Sequence, residues 1–436
     1  MSSPVTHERA GRIEGVVARL HDLHPRLIDL SLDRLHVLLE KLDHPERRLP
    51  PIIHVAGTNG KGSTCAFLRA MAEAAGRRVH VYTSPHLVRF NERIRIAGEL
   101  VSDATLIETL EDLERINASA PITVFEMLTA VAFQLFAATP ADLCILEVGL
   151  GGRFDTTNVI VRPNSCAITS ISIDHREFLG DTLAKISFEK AGILKPSVPC
   201  AVGAQSPEAL DVILSRAAAI GAPILLRDRD WAIAPTDTGL RYTDKTLSFT
   251  LPPPSLPGAH QHDNAGIAIA ALHAAILNIP SRAIAPGISS AEWPARMQRL
   301  TGKLAETLPQ DWELYLDGGH NPGAGLVLAD QLRTWADRPA HLIVGMKQAK
   351  DSAEFLRPML PHAATLWAIA EPGQHLALPV EAIIAASGNI ARPGPTAQAA
   401  LRAIPKDGPP ARILICGSLY LAGEILKQDA SLDYIP

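Results

Sequence analysis

Ile52-Ile53-His54-Val55-Ala56-Gly57-Thr58-Asn59-Gly60-Lys61-Gly62-Ser63-Thr64 reads as a strand running into a glycine-rich phosphate loop. The apolar run ending at Val55 suits a buried parallel strand, and Ser63–Ala75, rich in Ala, Leu, Met and Glu, suits the helix that follows. Glycines at 57, 60 and 62 let backbone N–H groups turn toward an anion, and the positive helix end adds to the attraction. Lys61 is placed to reach the outer phosphates, and the hydroxyl of Ser63 or Thr64 to hold Mg²⁺. The common loop pattern has no residue between Lys and Ser/Thr; here Gly62 intervenes. The stretch predicts a nucleotide site.

The remaining composition bounds the setting. With 436 residues the chain exceeds what one hydrophobic core usually spans, which predicts two domains. A hydrophobic content of 47% is enough for ordinary α/β cores, and a net charge of −5 gives no support to nucleic acid as a partner. Cys65, Cys144, Cys166, Cys200 and Cys416 are scattered without a C-x-x-C, so buried reduced thiols are expected. Polar Met1–Gly15 has no signal-peptide core, and no apolar run is long enough for a membrane span. A cytoplasmic enzyme with no membrane partner is the expectation.

Outward from the loop, the first forty-odd residues read as helical, with Leu20, Ile28, Leu30, Leu35, Leu38 and Leu39 among charges. Arg78–Tyr82, Leu143–Val148 and Ser165–Ser170 read as buried strands, and Ser102–Ile116 and Thr123–Ala138 as helices of 3.6-residue spacing. That rhythm implies a P-loop NTPase-type parallel sheet with helices on both faces. From Pro223 to Gly258 the pieces ILLRD, WAIAP, LRYTD and LSFTL suggest a small antiparallel appendage, before an Ala-rich helix from His260 through Leu277. Pro286–Pro294 reads as a hinge. Beyond it come strands at Glu313–Leu316, His341–Val344, Thr365–Ile369 and Arg412–Cys416, and helices at Gly323–Trp335 and from Leu419. The expected division is an α/β ATP-type domain at 1–290, a hinge at 291–298 and a smaller Rossmann-like α/β domain at 299–436.

Glu147 ends its strand and precedes Gly149-Leu150-Gly151-Gly152-Arg153-Phe154-Asp155, the position of a Mg²⁺ ligand beside a phosphate loop of the same sheet. Asp174-His175 and Glu189-Lys190-Ala191-Gly192-Ile193 follow later strands. Read with Ser84-Pro85-His86-Leu87, Thr156-Thr157-Asn158 and Asp317-Gly318-Gly319-His320-Asn321-Pro322, these motifs occur in the order found in folylpolyglutamate synthases and bifunctional dihydrofolate synthases. The chain resembles that branch of the Mur ligase superfamily from about Leu20 to Gly423.

The resemblance implies an ATP-dependent amide ligase: ATP phosphorylates a carboxylate, and the amino group of L-glutamate attacks the acyl phosphate. It implies catalytic roles for Lys61, His175 and Lys190, and nucleotide contacts from Thr58, Asn59, Gly60, Lys61, Gly62, Ser63, Thr64, Asn264, Arg296, Asp317 and His320. Ser63, Ser84 and Glu147 would hold one Mg²⁺, and His175 a second with a carbamylated Lys190, because a carbamate offers Mg²⁺ an anionic oxygen where an ammonium repels it. A monovalent cation belongs to the same expectation. Arg296 lies in the hinge and Asp317 beyond it, so nucleotide binding would couple closure to assembly of the site. Ser418 is a candidate for the incoming glutamate, with a helix N-cap as its alternative.

For the acceptor, Leu23–Arg34 resembles a pteroate-lining region, which brings in Asp29, Leu30 and Ser31. Thr123, Phe125, Phe154 and Asp155 would complete it, Phe125 as a ring to stack on and Asp155 as acceptor for pterin N–H groups. Ala295 stands where the family has Gly, and Gly319 where it has Ala. The readings left open are a folate ligase using dihydropteroate and reduced folates as a monomer, a cell-wall Mur ligase, and a nucleotide-binding regulator.

Overall fold

The computed structural model describes residues 4–24, 29–348 and 350–430. The chain forms two compact units, one from residues up to 171, 176–255 and 261–292, the other from 172–175, 256–260 and 293 onward. A contiguous division does not anticipate the two short insertions into the second unit.

In the first unit the helical start is two helices, α1 (Pro4–Leu23) and α2 (Asp33–Lys41). Ile28 and the preceding Pro25-Arg26-Leu27 lie outside the described residues. Next come β1 (Ile52–Ala56), buried at every position, α3 (Lys61–Ala74) and β2 (Val79–Tyr82). A short antiparallel hairpin, β3 (Ile94–Ile96) and β4 (Glu99–Leu100), turns through Ala97 and Gly98, both at positive φ as a tight hairpin demands. α4 (Asp103–Asn117) begins at Ser102, and α5 (Val124–Ala138) at Thr123, each cap hydroxyl accepting from a backbone N–H three residues on.

The order continues with β5 (Leu143–Glu147), β6 (Ser165–Ile168), α6 (Arg176–Leu179), α7 (Leu183–Lys190), β7 (Cys200–Val202), α8 (Pro207–Ile220) and β8 (Ile224–Leu226). The eight strands lie in the order β4-β3-β2-β5-β1-β6-β7-β8, with β2 through β8 of that row parallel. Their near-continuous apolar character follows from coverage on both faces. The ILLRD piece is therefore corrected: β8 pairs with β7, Cys200 opposite Ile224, and extends the main sheet. Only β9 (Trp231–Thr236), β10 (Gly239–Asp244) and β11 (Ser248–Leu251) form the antiparallel appendage. α9 (His260–Ala274) and α10 (Ser281–Ser290) follow. Pro286 sits inside α10, so the segment read as a hinge starts as helix. α8 has sequence signals at both ends: Ser206 caps it, Pro207 opens it and Gly221 closes it at positive φ.

The second unit carries β12 (Gln298–Leu300), β13 (Glu313–Leu316), α11 (Pro322–Thr334), β14 (Ala340–Val344) and α12 (Ser352–Leu356). β15 (Thr365–Ala368), α13 (Val380–Ala386), β16 (Arg392–Pro393), α14 (Ala397–Ala403), β17 (Arg412–Cys416) and α15 (Leu419–Asp429) complete it. Its sheet runs β12-β13-β17-β14-β15-β16, parallel apart from β12. All five cysteines are buried and free. Among the described residues no helix is long and apolar enough to cross a membrane.

Candidate active site

In the first unit β1 lies between β5 and β6, and the chain leaves it first toward β2 on the far side of β5. The carboxyl end of β1 is thus a switch point of an open parallel sheet, where crossover loops diverge and leave a crevice. Residues 57–60 form the loop there, and α3 starts at Lys61. Gly60 has φ +89°, and a Cβ on it would meet Asn264 Oδ1 at 2.2 Å. Only glycine fits, and the contact seats Asn264 of α9 directly on the loop. The N–H groups of Thr58 and Asn59 donate to the Ser170 carbonyl at 2.9 and 3.1 Å, so they brace the loop and do not face an anion. The first N–H groups of α3 have no partner within a helix. Lys61 Nζ donates to Thr58 O at 3.2 Å, which curls the side chain back over the loop.

The hydroxyls of Ser63 and Thr64 are buried without a hydrogen-bond partner. An unmade bond on a buried polar group costs about 1–3 kcal/mol, which a phosphate oxygen or a Mg²⁺ ion would offset. Glu147, buried at the end of β5, accepts from Ser84 N at 3.3 Å, which brings the two expected metal residues together. Among the described residues no three His, Cys, Asp or Glu side chains form a closed cage. Mg²⁺ usually takes one or two carboxylates and completes its shell with water and substrate phosphates, so this donor set fits it.

Lys190, at the end of α7, is buried and donates from Nζ to Gly57 O at 2.8 Å. Its neighbour Glu189 pairs with Arg153 at 2.7 Å, while Arg153 N donates to Glu189 O at 2.8 Å. The 149–155 loop, α7 and the phosphate loop are therefore one hydrogen-bonded assembly. Arg153 also lies 4.3 Å over the ring of Phe154, which is exposed at the surface.

Of the residues expected at the acceptor, Phe125 in the first turn of α5 is half-buried and packs on Gly149, where a Cβ would fall 2.4 Å from the ring. Asp155 departs from its expected role. Its Oδ2 accepts from Gly149 N and Leu150 N at 2.9 and 2.8 Å, and its Oδ1 from Thr157 N and Oγ1 at 3.0 and 2.5 Å. All four lone-pair positions of the carboxylate serve its own loop. Burial raises its pKa while those bonds oppose the rise. Asp155→Ala should lower Tm by several degrees, since each buried donor left unsatisfied costs about 1–3 kcal/mol. Thermal unfolding monitored by circular dichroism checks this; an unchanged Tm with selective loss of folate use would return the carboxylate to the substrate.

Beneath this loop runs a polar strip that sequence reasoning missed. Thr157 Oγ1 donates to Asp155 and lies 2.8 Å from His54 Nε2, while Thr129 joins Thr156, Tyr82 and the Phe125 carbonyl. Burial pushes His54 down to about 3, so the imidazole stays neutral on β1. The only available signal was a histidine inside an otherwise apolar strand.

In the second unit Asp317, at the end of β13, accepts from Met297 N at 2.9 Å and Gly319 N at 2.7 Å. His320 Nδ1 lies 3.1 Å from Gly318 O, and its Nε2 3.4 Å from Asp174. Asp174 also binds Lys350 and Asn321, two partners the sequence reading did not name. Burial opposes ionisation of Asp174, but His320, Lys350 and His175 outweigh it and hold the carboxyl far below its usual range. His175 follows at φ +50°, exposed, its N–H on Asp174 Oδ1. Expected residues thus gather in two sets, Thr58–Thr64, Ser84, Glu147, Lys190 and Asn264 in the first unit, His175, Arg296, Asp317 and His320 in the second.

Known proteins resemble this chain along almost its whole length. The Mur ligase middle domain matches residues 55–272. A dihydrofolate synthase/folylpolyglutamate synthase of Escherichia coli is 33% identical over 425 residues, 97% of this chain and 96% of that protein. The chain belongs to the folylpolyglutamate synthase family. Among solved structures, E. coli FolC in complex with DHPP and ADP superposes with TM-score 0.85 at 31% identity, over 96% of this chain and 97% of that one. The bifunctional enzyme of Yersinia pestis complexed with AMPPNP and Mn has TM-score 0.86 at 32% identity, over 95% and 97%.

Two positions of this folylpolyglutamate synthase-family chain are explained by the local fold. Ala295 adopts φ +55°, a conformation natural to glycine. The strain is about 1–2 kcal/mol, of which burial of the methyl recovers about 0.8. Its carbonyl still accepts from Gly318 N at 2.9 Å and from Arg296 Nη1 at 3.0 Å. The alanine therefore leaves Arg296 anchored. Ser418 is the N-cap of α15, its Oγ accepting from Tyr420 N at 3.1 Å, so the alternative reading of this serine is the one the geometry displays.

Proposed function

We propose that this ligase joins L-glutamate, at the expense of ATP, to dihydropteroate and to reduced folates through an acyl phosphate. The observation that carries the reading is that Lys190 reaches Gly57 O of the phosphate loop while Ser63 and Thr64, in the first turn of the helix that follows it, keep buried, unpartnered hydroxyls. Such a loop has donors fixed in place before the phosphates arrive, and preorganised donors cost no reorganisation as charge develops. Lys61 and the first N–H groups of α3 neutralise the nucleotide phosphates. Asn264 closes the loop from α9. Ser63, Ser84 and Glu147 would hold Mg²⁺, which supplies further neutralisation of phosphate oxygens when bound. His175 and a carbamylated Lys190 belong to a second such position; a carbamate keeps one N–H, so the bond to Gly57 O survives the modification. A monovalent cation near the same phosphates completes the set.

Arg296, Asp317 and His320 are assigned to the nucleotide, and Asp29, Leu30, Ser31, Thr123, Phe125 and Phe154 to the acceptor, with Asp155 shaping the loop between them. The enzyme is read as a cytoplasmic monomer acting on small molecules.

Purified protein with ATP, Mg²⁺ and L-glutamate should release phosphate with dihydropteroate and with tetrahydrofolate, each supplied alone. Extension of tetrahydrofolate with no turnover of dihydropteroate would reduce the activity to polyglutamylation. Phosphate release that ignores glutamate would remove the ligase reading.

A further inference from the structure

Arg34 and Glu126 lie 92 residues apart, yet they form a bidentate charge pair in the first unit. Arg34 Nε and Nη2 grip Glu126 at 3.1 and 2.9 Å. Nη1 of the same guanidinium binds Asp29 Oδ2 at 2.9 Å, and Nη2 also reaches the Asp29 carbonyl at 3.3 Å. Glu126 is 1% exposed, and its Oε2 accepts in addition from Thr123 N at 2.7 Å, closing the capping box of α5. Removing a carboxylate from water to this degree is costly, and such pairs add little net stability. Their use is geometric: a planar fork fixes direction and distance together, which a lysine cannot reproduce.

We infer that Arg34 and Glu126 are positioning residues for the folate acceptor, the pair fastening Asp29–Ser31 to the helical turn that carries Phe125. The inference rests on the acceptor assignment above. It separates acceptor from nucleotide because the phosphate loop has its own braces, the Ser170 carbonyl and Lys190. Neither side chain need touch the substrate. Arg34 acts through the 29–31 segment, where Ser31 Oγ accepts from Asp33 N at 3.2 Å, and Glu126 acts through its neighbour Phe125.

Arg34→Lys and Glu126→Gln test this in the full chain, with initial rates measured while dihydropteroate and ATP are varied in turn. Each variant should raise KM for dihydropteroate about tenfold or more, the scale on which misplaced binding groups act, with KM for ATP within about twofold. The double variant should be no worse than the poorer single one, because both lesions break the same pair. Unchanged KM for dihydropteroate overturns the inference, as does a parallel rise in KM for ATP. Failure of both conservative variants to fold would also overturn it, in favour of a purely structural pair. Wild-type protein that releases no glutamate-dependent phosphate overturns the acceptor assignment and the inference with it.

Discussion

Lys61→Ala should lower kcat/KM on the order of a hundredfold or more, the scale of losing one preorganised electrostatic contact with a charge that develops in the transition state. The structure explains why the fold should survive. Lys61 is partly exposed at the start of α3, and its Nζ makes a 3.2 Å bond to Thr58 O within the loop. A single bond to a neutral acceptor contributes about 1–3 kcal/mol, whereas the phosphates Lys61 would meet carry full charge. The loop keeps its other braces, the N–H groups of Thr58 and Asn59 on Ser170 O. Steady-state rates together with a thermal melt separate the two effects. A variant with most of its turnover intact would remove Lys61 from the nucleotide site.

Lys190→Ala should be inactive, and a short carboxylic acid should restore part of the rate. The lysine is buried beside the phosphate loop, with Nζ 2.8 Å from Gly57 O. An ammonium in that place opposes Mg²⁺, while CO₂ adding to the neutral amine replaces a positive group with an anionic oxygen ligand. The added acid supplies the missing oxygen without the tether, so rescue distinguishes a lost ligand from a collapsed loop. ¹³CO₂-labelled NMR of the wild-type Mg²⁺–nucleotide complex should show a carbamate. A free amine in that state would count against the modification, and absence of rescue with an unaltered melt would count against the ligand role.

Much of this was legible in the chain itself. Strands β1, β5 and β6 are written in nearly continuous apolar residues, His54 apart, because a parallel sheet covered on both faces leaves no side for polar alternation. Caps such as Ser102 and Thr123 mark helix starts through bonds made within three residues. Glycines with close neighbours, Gly60 and Gly149 among them, leave a trace in sequence because no other residue fits. These signals are local, and so the phosphate loop and the α/β rhythm could be read in order.

What tertiary structure alone decided involves residues whose partners are distant in sequence. Whether Ile224–Leu226 belongs to the appendage or to the main sheet depends on an edge offered by Cys200–Val202, and a three-residue apolar piece carries no mark of its neighbour. Pro286 signals a break in sequence, yet α10 accommodates it. Asp155 looks like a free acceptor until Gly149, Leu150 and Thr157 are seen to occupy it, and nothing in the sequence pairs Arg34 with Glu126 across 92 residues. A carboxylate's chemistry is set by which donors reach it, and pairings over that separation are specified by the packing of whole elements rather than by any short run of residues. The sequence by itself thus determined the fold class and the phosphate chemistry; the folded chain decided which polar groups remain for a substrate and which are already committed to holding the site in shape.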